Sequence, residues 1–147
     1  MVNIFKDLII DGAVSGAILT LIATVISLIL YKLKRVENHC IQFCAAAMLQ
    51  AIKPIMVKSA TIVGFFGHIT IGMVFGIIIA LVLQLSGSQY SYMKGMGVGL
   101  TFWVFLHQVT IGRFWVKPNY NVSPKGALWV LGIHVLQGAL VVLFLAI

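Results

Sequence analysis

The sequence predicts an all-α integral membrane protein, a four-transmembrane-helix bundle with an interfacial amphipathic helix between the first and second spans. Three observations predict it. Of 147 residues, 61% are hydrophobic and 9% charged, with a mean hydropathy of +1.10, whereas a water-soluble domain carries about 25% charged residues. Four apolar runs, roughly Leu8 to Tyr31, Ala60 to Leu85, Gly95 to Trp115 and Gly126 to Ile147, each reach the ~20 residues that cross ~30 Å of hydrocarbon. The runs are continuously apolar and do not alternate with period two, so they read as helices and not as strands of a membrane barrel. They form one transmembrane domain over residues 1–147 whose immediate partner is the lipid bilayer.

The first run follows Lys6 but is longer than the ~7–15 residues of a signal-peptide core, and it closes on Tyr31-Lys32-Leu33-Lys34-Arg35. It is expected to be retained as a span. The chain carries ten Lys and Arg against three acids. Lys32, Lys34, Arg35, Lys53 and Lys58 fall between the first two spans, and Arg113, Lys117 and Lys125 between the last two. Only Lys6 and Lys94 fall on the opposite side, so the positive-inside rule puts both basic connections in the cytoplasm and both termini outside. Topology thus accounts for the net charge of +7, and no basic stripe interleaved with exposed aromatics points to nucleic acid.

The first connection, about residues 36–56, is too apolar for a solvated linker. Val36, Cys40, Phe43, Cys44, Ala47, Met48 and Ile52 recur at helical spacing and Pro54 limits the run, which reads as a helix lying on the membrane. Ser86 to Lys94 reads as a short outer loop with interfacial tyrosines. In the third connection Ser123-Pro124 opens the last helix, with serine as N-cap and proline in the first turn.

Membrane helices gain nothing by hiding apolar surface from lipid and associate through close backbone packing, so small residues mark where they meet. Gly12 and Gly16 form a GxxxG pair; Gly64, His68, Gly72 and Gly76 lie four apart on the second span; Gly95, Gly99, Trp103 and His107 on the third; Gly126, Val130, His134 and Gly138 on the fourth. Each of these histidines lies on a small-residue stripe and is expected to face the bundle. The Gly-xxx-Gly starts of the first and third spans, and His68 to Gly72 beside His134 to Gly138, also suggest two parallel halves.

Counting from the basic flanks at ~1.5 Å per residue places His68, His107 and His134 at a common depth, about 9–15 Å from the cytoplasmic side. Three neutral imidazoles converging with an open position suit zinc, copper or iron, and two facing each other suit a b-type haem. Thr20, Thr24, Ser27, Gln108, Thr110 and Gln137 are candidates to orient the rings through hydrogen bonds. Proton or quinone chemistry is a further use of such rings, and a purely structural one, hydrogen bonding between helices, is the alternative. His39, Cys40 and Cys44 form a candidate cytoplasmic thiol or metal site, against which stands simple packing of small apolar cysteines. Asp11 marks either the mouth of an ion path or a cap at the outer interface. No HExxH, Ser/His/Asp grouping or phosphate-binding glycine loop is present, so an enzyme is not expected.

Gly64-Phe65-Phe66-Gly67-His68, then Phe105-Leu106-His107-Gln108 followed by Gly112 and Pro118, then Leu131-Gly132-Ile133-His134, resembles the YagU-like bacterial inner-membrane proteins. The likeness covers the second to fourth spans. Those proteins typically have a longer, proline- and arginine-rich connection after the first span, where this chain has its cysteine-containing segment. The resemblance implies a four-helix inner-membrane protein with histidines at His68, His107 and His134, and brings no established activity. Two functions are therefore expected in competition. One is a small protein whose buried histidines bind a metal ion or haem or relay protons, working as an oligomer or within a complex. The other is an accessory subunit that packs through its glycine faces.

Overall fold

The structure, a computed structural model, describes residues 2–49, 58–106 and 123–145. Five helices account for nearly all of them: α1 (Val2–Lys32), α2 (Cys40–Leu49), α3 (Lys58–Ser86), α4 (Ser91–Trp103) and α5 (Pro124–Phe144), with no strand among the described residues. Three stretches are long and apolar enough to cross a membrane: Asp7–Lys32, Ser59–Ser86 and Pro124–Phe144. Large apolar side chains are exposed along each of them, among them Val25, Ile29, Phe66, Leu128 and Leu143, as a lipid solvent permits and water does not. This is a helical membrane protein. The expected third span, residues 95–115, is seen only through residue 106, where α4 widens from its regular winding into a π turn over 104–106; the remainder lies outside the described residues.

Glycines set the packing. A Cβ on Gly16 would fall on the Gly72 carbonyl oxygen, one on Gly76 on that of Gly12, and one on Gly72 on the Thr20 hydroxyl, so α1 and α3 cross antiparallel at backbone contact. In the same way, a Cβ on Gly95 would strike the Gly138 carbonyl and one on Gly99 the His134 carbonyl, locking α4 to α5. Both helix pairs use one device, yet their registers differ by a turn. Gly16 sits opposite Gly72, four residues beyond His68, whereas Gly99 sits opposite His134 itself. The two-halves expectation, which equates Gly16 with Gly99 and His68 with His134, does not survive that offset.

The pairs join at one end through an apolar core of Leu19, Phe75, Ile79, Ala80, Leu83, Val141, Val142 and Leu145. At that end Lys94 donates its ammonium to the carbonyls of Ser86 (2.9 Å) and Gly87 (2.7 Å), closing the C-terminus of α3 where the helix dipole favours a cation. Gly87 makes the turn at a φ of 79°, a conformation that costs glycine nothing.

At the opposite end α1 stops in a Schellman cap: Arg35 N–H donates to Leu30 O (2.9 Å) and Lys34 N–H to Tyr31 O (3.0 Å). Lys34 holds the left-handed position with φ 55°, where a side chain costs roughly 1–2 kcal/mol. Lys34→Gly is therefore expected to stabilise the protein by about 1 kcal/mol, measured as a higher thermal midpoint in detergent.

The turn then brings the chain back on itself. Val36 is buried, and Ser27 of α1 accepts the Cys40 amide at 3.1 Å, capping α2 from a neighbouring helix. α2 does form within the expected 36–56 segment, but it spans ten residues and its buried face is Ile41, Cys44, Ala45 and Ala46, which shares only Cys44 with the predicted stripe of Val36, Cys40, Phe43, Cys44, Ala47, Met48 and Ile52. The reason is its partner. α2 lies on α3, where Gly64 leaves room for Ile41 and Ala45 and Gly67 for Met48.

Candidate functional site

At the end of the bundle where α1 closes and α3 and α5 begin, the helices do not fill the space between them. A cavity of about 80 Å³ remains, lined from α1 by Thr20, Ala23 and Ser27, from α2 by Cys40 and Cys44, from α3 by His68, Gly72 and Phe75, and from α5 by Val130, His134 and Gln137. One water centre needs roughly 10–15 Å³, so there is room for a few waters or a small polar group. Phe75 and Phe102, with ring centroids 4.9 Å apart, close its inner end.

His68 and His134, chosen from sequence on different helices, both line this cavity. His107, with Gln108 and Thr110, lies outside the described residues. Each observed ring is held differently. His134 Nδ1 lies 2.9 Å from the Val130 carbonyl one turn earlier; a carbonyl only accepts, so Nδ1 carries the proton and Nε2 the lone pair of the neutral ring. His68 Nδ1 lies 3.6 Å from Cys44 Sγ.

The thiol decides the His68 tautomer. Burial, with Cys40 beside it, pushes the Cys44 thiol up to about 12, so it remains S–H at neutral pH. Imidazole nitrogen is a good acceptor and thiol sulfur a poor one, so the contact is assigned as Cys44 S–H donating to Nδ1, the tautomer in which His68 carries its proton on Nε2. That Nε2 is buried and has no hydrogen-bond partner among the described residues, and the same holds for His39 Nδ1, whose residue also lines the cavity. An unmet buried donor costs about 1–3 kcal/mol, and in native proteins such atoms call for a specific explanation.

The candidate orienting residues are placed as follows. Gln137 is buried and donates from Nε2 to Thr20 Oγ1 at 2.8 Å, tying α5 to α1. Thr24 is also buried, but its hydroxyl donates to the Thr20 carbonyl of its own helix at 2.7 Å. Neither bond goes to an imidazole, and the expected role of Thr24 and Gln137 in steering the rings is not what these contacts do. The helix's own carbonyl was nearer for His134. For His68 the partner came from α2, which sequence reading assigned to a separate cytoplasmic site.

The His39, Cys40 and Cys44 group is divided among three neighbours. His39 packs edge-on against Tyr31 at 5.2 Å, Cys40 is tied through its amide to Ser27, and Cys44 meets His68. Burial holds the His39 ring below its ordinary pKa and pushes the Cys40 thiol up. Neither cysteine is a thiolate nucleophile at neutral pH. N-ethylmaleimide at pH 7.5 is expected to leave Cys44 unlabelled in the folded protein and to label it fully after denaturation, as read by intact-protein mass spectrometry. Among the described residues no three His, Cys, Asp or Glu side chains are grouped to hold a metal ion.

Glu37 is a feature sequence reading did not single out. Its carboxylate stands where a side chain on Gly126 would go, at the start of α5, where the helix dipole favours an anion. The Ser123 hydroxyl bonded to it holds its pKa below the ordinary value. Ser123 also caps α5 by accepting the Gly126 amide at 3.1 Å, followed by Pro124 in the first turn. The α1–α2 turn is thereby docked on α5, and Glu37, Asn38 and His39 form the mouth of the cavity.

Fold and site together define a class, an α-helical membrane protein with an imidazole-lined cavity at one end of its bundle. Compared with known proteins, the chain matches no family model, no curated sequence and no solved structure.

Proposed function

We propose that this protein works through the cavity, binding at His68 a small ligand that offers an oxygen acceptor, with His134 as the neighbouring ring available for proton exchange. The single observation that carries the reading is the buried Nε2 of His68, which has no partner among the described residues, in a cavity with space beside it. The site lies near the cytoplasmic side of an inner-membrane bundle with both termini outside, in a protein that acts as an oligomer or within a complex. The YagU-like resemblance belongs to the same proposal and adds no chemistry to it.

Within this reading a small organic or proton-exchanging ligand takes precedence over a metal ion or haem. A metal ion would need His107 as a third ligand and a His68 ring turned to its other tautomer, with Nδ1–H facing the Cys44 sulfur. A haem would need a planar slot, and Phe75 and Phe102 fill the inner end of the cavity.

The alternative is an accessory subunit. Among the described residues, Gly97 of α4 and Gly132 of α5 have nothing within 4 Å of where a Cβ would stand, and small residues on open helix faces suit close approach by another helix.

The test is to purify the chain in mild detergent and divide one sample between elemental mass spectrometry and solvent extraction with organic mass spectrometry. A His68→Ala/His107→Ala/His134→Ala chain is the control. About one organic molecule per chain, absent from the control, supports the reading, and about one zinc, copper or iron ion lost in the control supports its metal form. Neither compound nor metal in either sample overturns it in favour of the subunit.

A further inference from the structure

The connection from α1 to α2 lies over the mouth of the histidine cavity and is held there by few contacts. Both its ends are fixed to α1, Lys34 by the Schellman cap and Cys40 by its amide on Ser27 at 3.1 Å. Lys32, Lys34 and Arg35 are exposed at this turn, which places it in water, because lipid would strip those charges of their hydration. Between the two anchors, in residues 35–39, only Val36 is buried, while Val36, Glu37, Asn38 and His39 all line the cavity. The Glu37 carboxylate reaches across to the start of α5, where the Ser123 hydroxyl donates to it and one of its oxygens stands where a Cβ on Gly126 would be. Two standing costs oppose this docked position. Lys34 holds a left-handed φ of 55° at the base of the turn, and His39 Nδ1 is buried with no hydrogen-bond partner among the described residues.

We propose that residues 35–39 are a flap over the histidine cavity, with the Glu37 carboxylate as the latch that holds it shut against α5 and the aqueous end of the bundle as the way in. A carboxylate bonded to a hydroxyl at a helix start favours the closed position. Because Glu37 is exposed, water and salt screen that bond and leave it weak enough to release. Opening moves the backbone of 35–39 alone, since the Schellman cap and the Ser27–Cys40 bond keep α1 and α2 in place. It uncovers Val36, hydrates His39 Nδ1 and admits water to Cys44 beside His68. The inference goes beyond the reading of His68 as a ligand site, because it concerns access to the cavity and not what the cavity holds.

Cys44 reports the opening, since it lines the cavity and is only 3% exposed. Two variants release the latch from opposite sides. Glu37→Ala removes the carboxylate, whereas Gly126→Ala keeps it and sets a Cβ on its oxygen, the far end of a flexible, exposed side chain that can swing away without straining α5. The chain in lipid nanodiscs would be treated with a trimethylammonium methanethiosulfonate, whose fixed charge brings it to a thiol through water and not through lipid. Tandem mass spectrometry of peptides then gives the labelling rate at Cys44. Each chain also carries Ser15→Cys as a control, at a position in α1 that is buried and outside the cavity lining. Both latch variants are expected to raise the Cys44 rate by roughly tenfold or more, the equivalent of one charge-assisted hydrogen bond, while the rate at position 15 stays within about twofold. An unchanged Cys44 rate in either variant overturns the flap. A parallel rise at both positions overturns it as well, by showing that the whole bundle has loosened. The assay contains no ligand, so neither result decides whether His68 binds one.

Discussion

Gly16→Leu is expected to abolish the compact fold in detergent, and Gly132→Leu to leave it intact. A Cβ at Gly16 falls on the Gly72 carbonyl oxygen and lies 3.0 Å from the Gly72 carbonyl carbon and the Gly76 Cα. All three are backbone, with no flexible side chain to yield. Overpacking ordinarily costs about 1–3 kcal/mol, and here relief requires α1 and α3 to separate along the crossing that also seats Thr20 on Gly72. The cost is expected at the upper end of that range or above it. Since Thr20 accepts from Gln137, separation would also break the polar tie to α5. At Gly132 nothing stands in the way, and the change is expected to fall within about 0.5 kcal/mol. Circular dichroism through a denaturing-detergent titration reads both, and equal midpoints for the two variants would refute the glycine-contact account of the fold.

His68→Phe is expected to act in opposite directions on binding and on stability. In ligand-free protein the substitution removes a buried donor that has no partner among the described residues, so the thermal midpoint should rise, by the equivalent of about 1–3 kcal/mol. The Cys44 thiol loses its acceptor, but S–H is a weak donor and that loss is small. Ligand binding, by contrast, loses its hydrogen bond, which corresponds to roughly a tenfold or greater fall in affinity. A ring that merely joins two helices would behave otherwise: its replacement would lower the midpoint. Differential scanning fluorimetry with and without the bound compound separates these, and a lower midpoint in both conditions would mark His68 as a structural residue.

Much of the packing was legible in the sequence because it repeats every four residues. Gly12 and Gly16, Gly72 and Gly76, and Gly95, Gly99 and Gly138 stand on single helix faces, and each occupies a helix crossing. The Ser123-Pro124 start of α5 was legible for a similar reason, since capping depends on adjacent residues only. The spacing of His68 and His134 from basic flanks indicated a common depth, and both side chains line one cavity.

What was not legible depends on contacts between distant segments. Ser27 capping Cys40 and Glu37 docking at Gly126 join residues that no local pattern connects. The side of α2 that meets α3 was not legible because apolar periodicity does not distinguish a membrane surface from the side of a neighbouring helix. With α2 turned onto α3, Cys44 moved from a supposed thiol site to His68. The one-turn offset between the helix pairs was likewise hidden, since a GxxxG pair states that a helix is approached and not which turn of its partner approaches it. Along α4 the four-residue stripe reaches Trp103, and the π turn over 104–106 ends its regular continuation.

Whether His68 Nε2 meets a ligand is the central question for this protein. A crystal structure of protein taken from its native membrane in mild detergent, grown in a lipidic phase, addresses that directly. The expected result is non-protein density with an oxygen at about 2.7–3.2 Å from His68 Nε2. A cavity holding only ordered water, with that water bonded to Nε2, or a protein side chain closing on the same nitrogen, would contradict it.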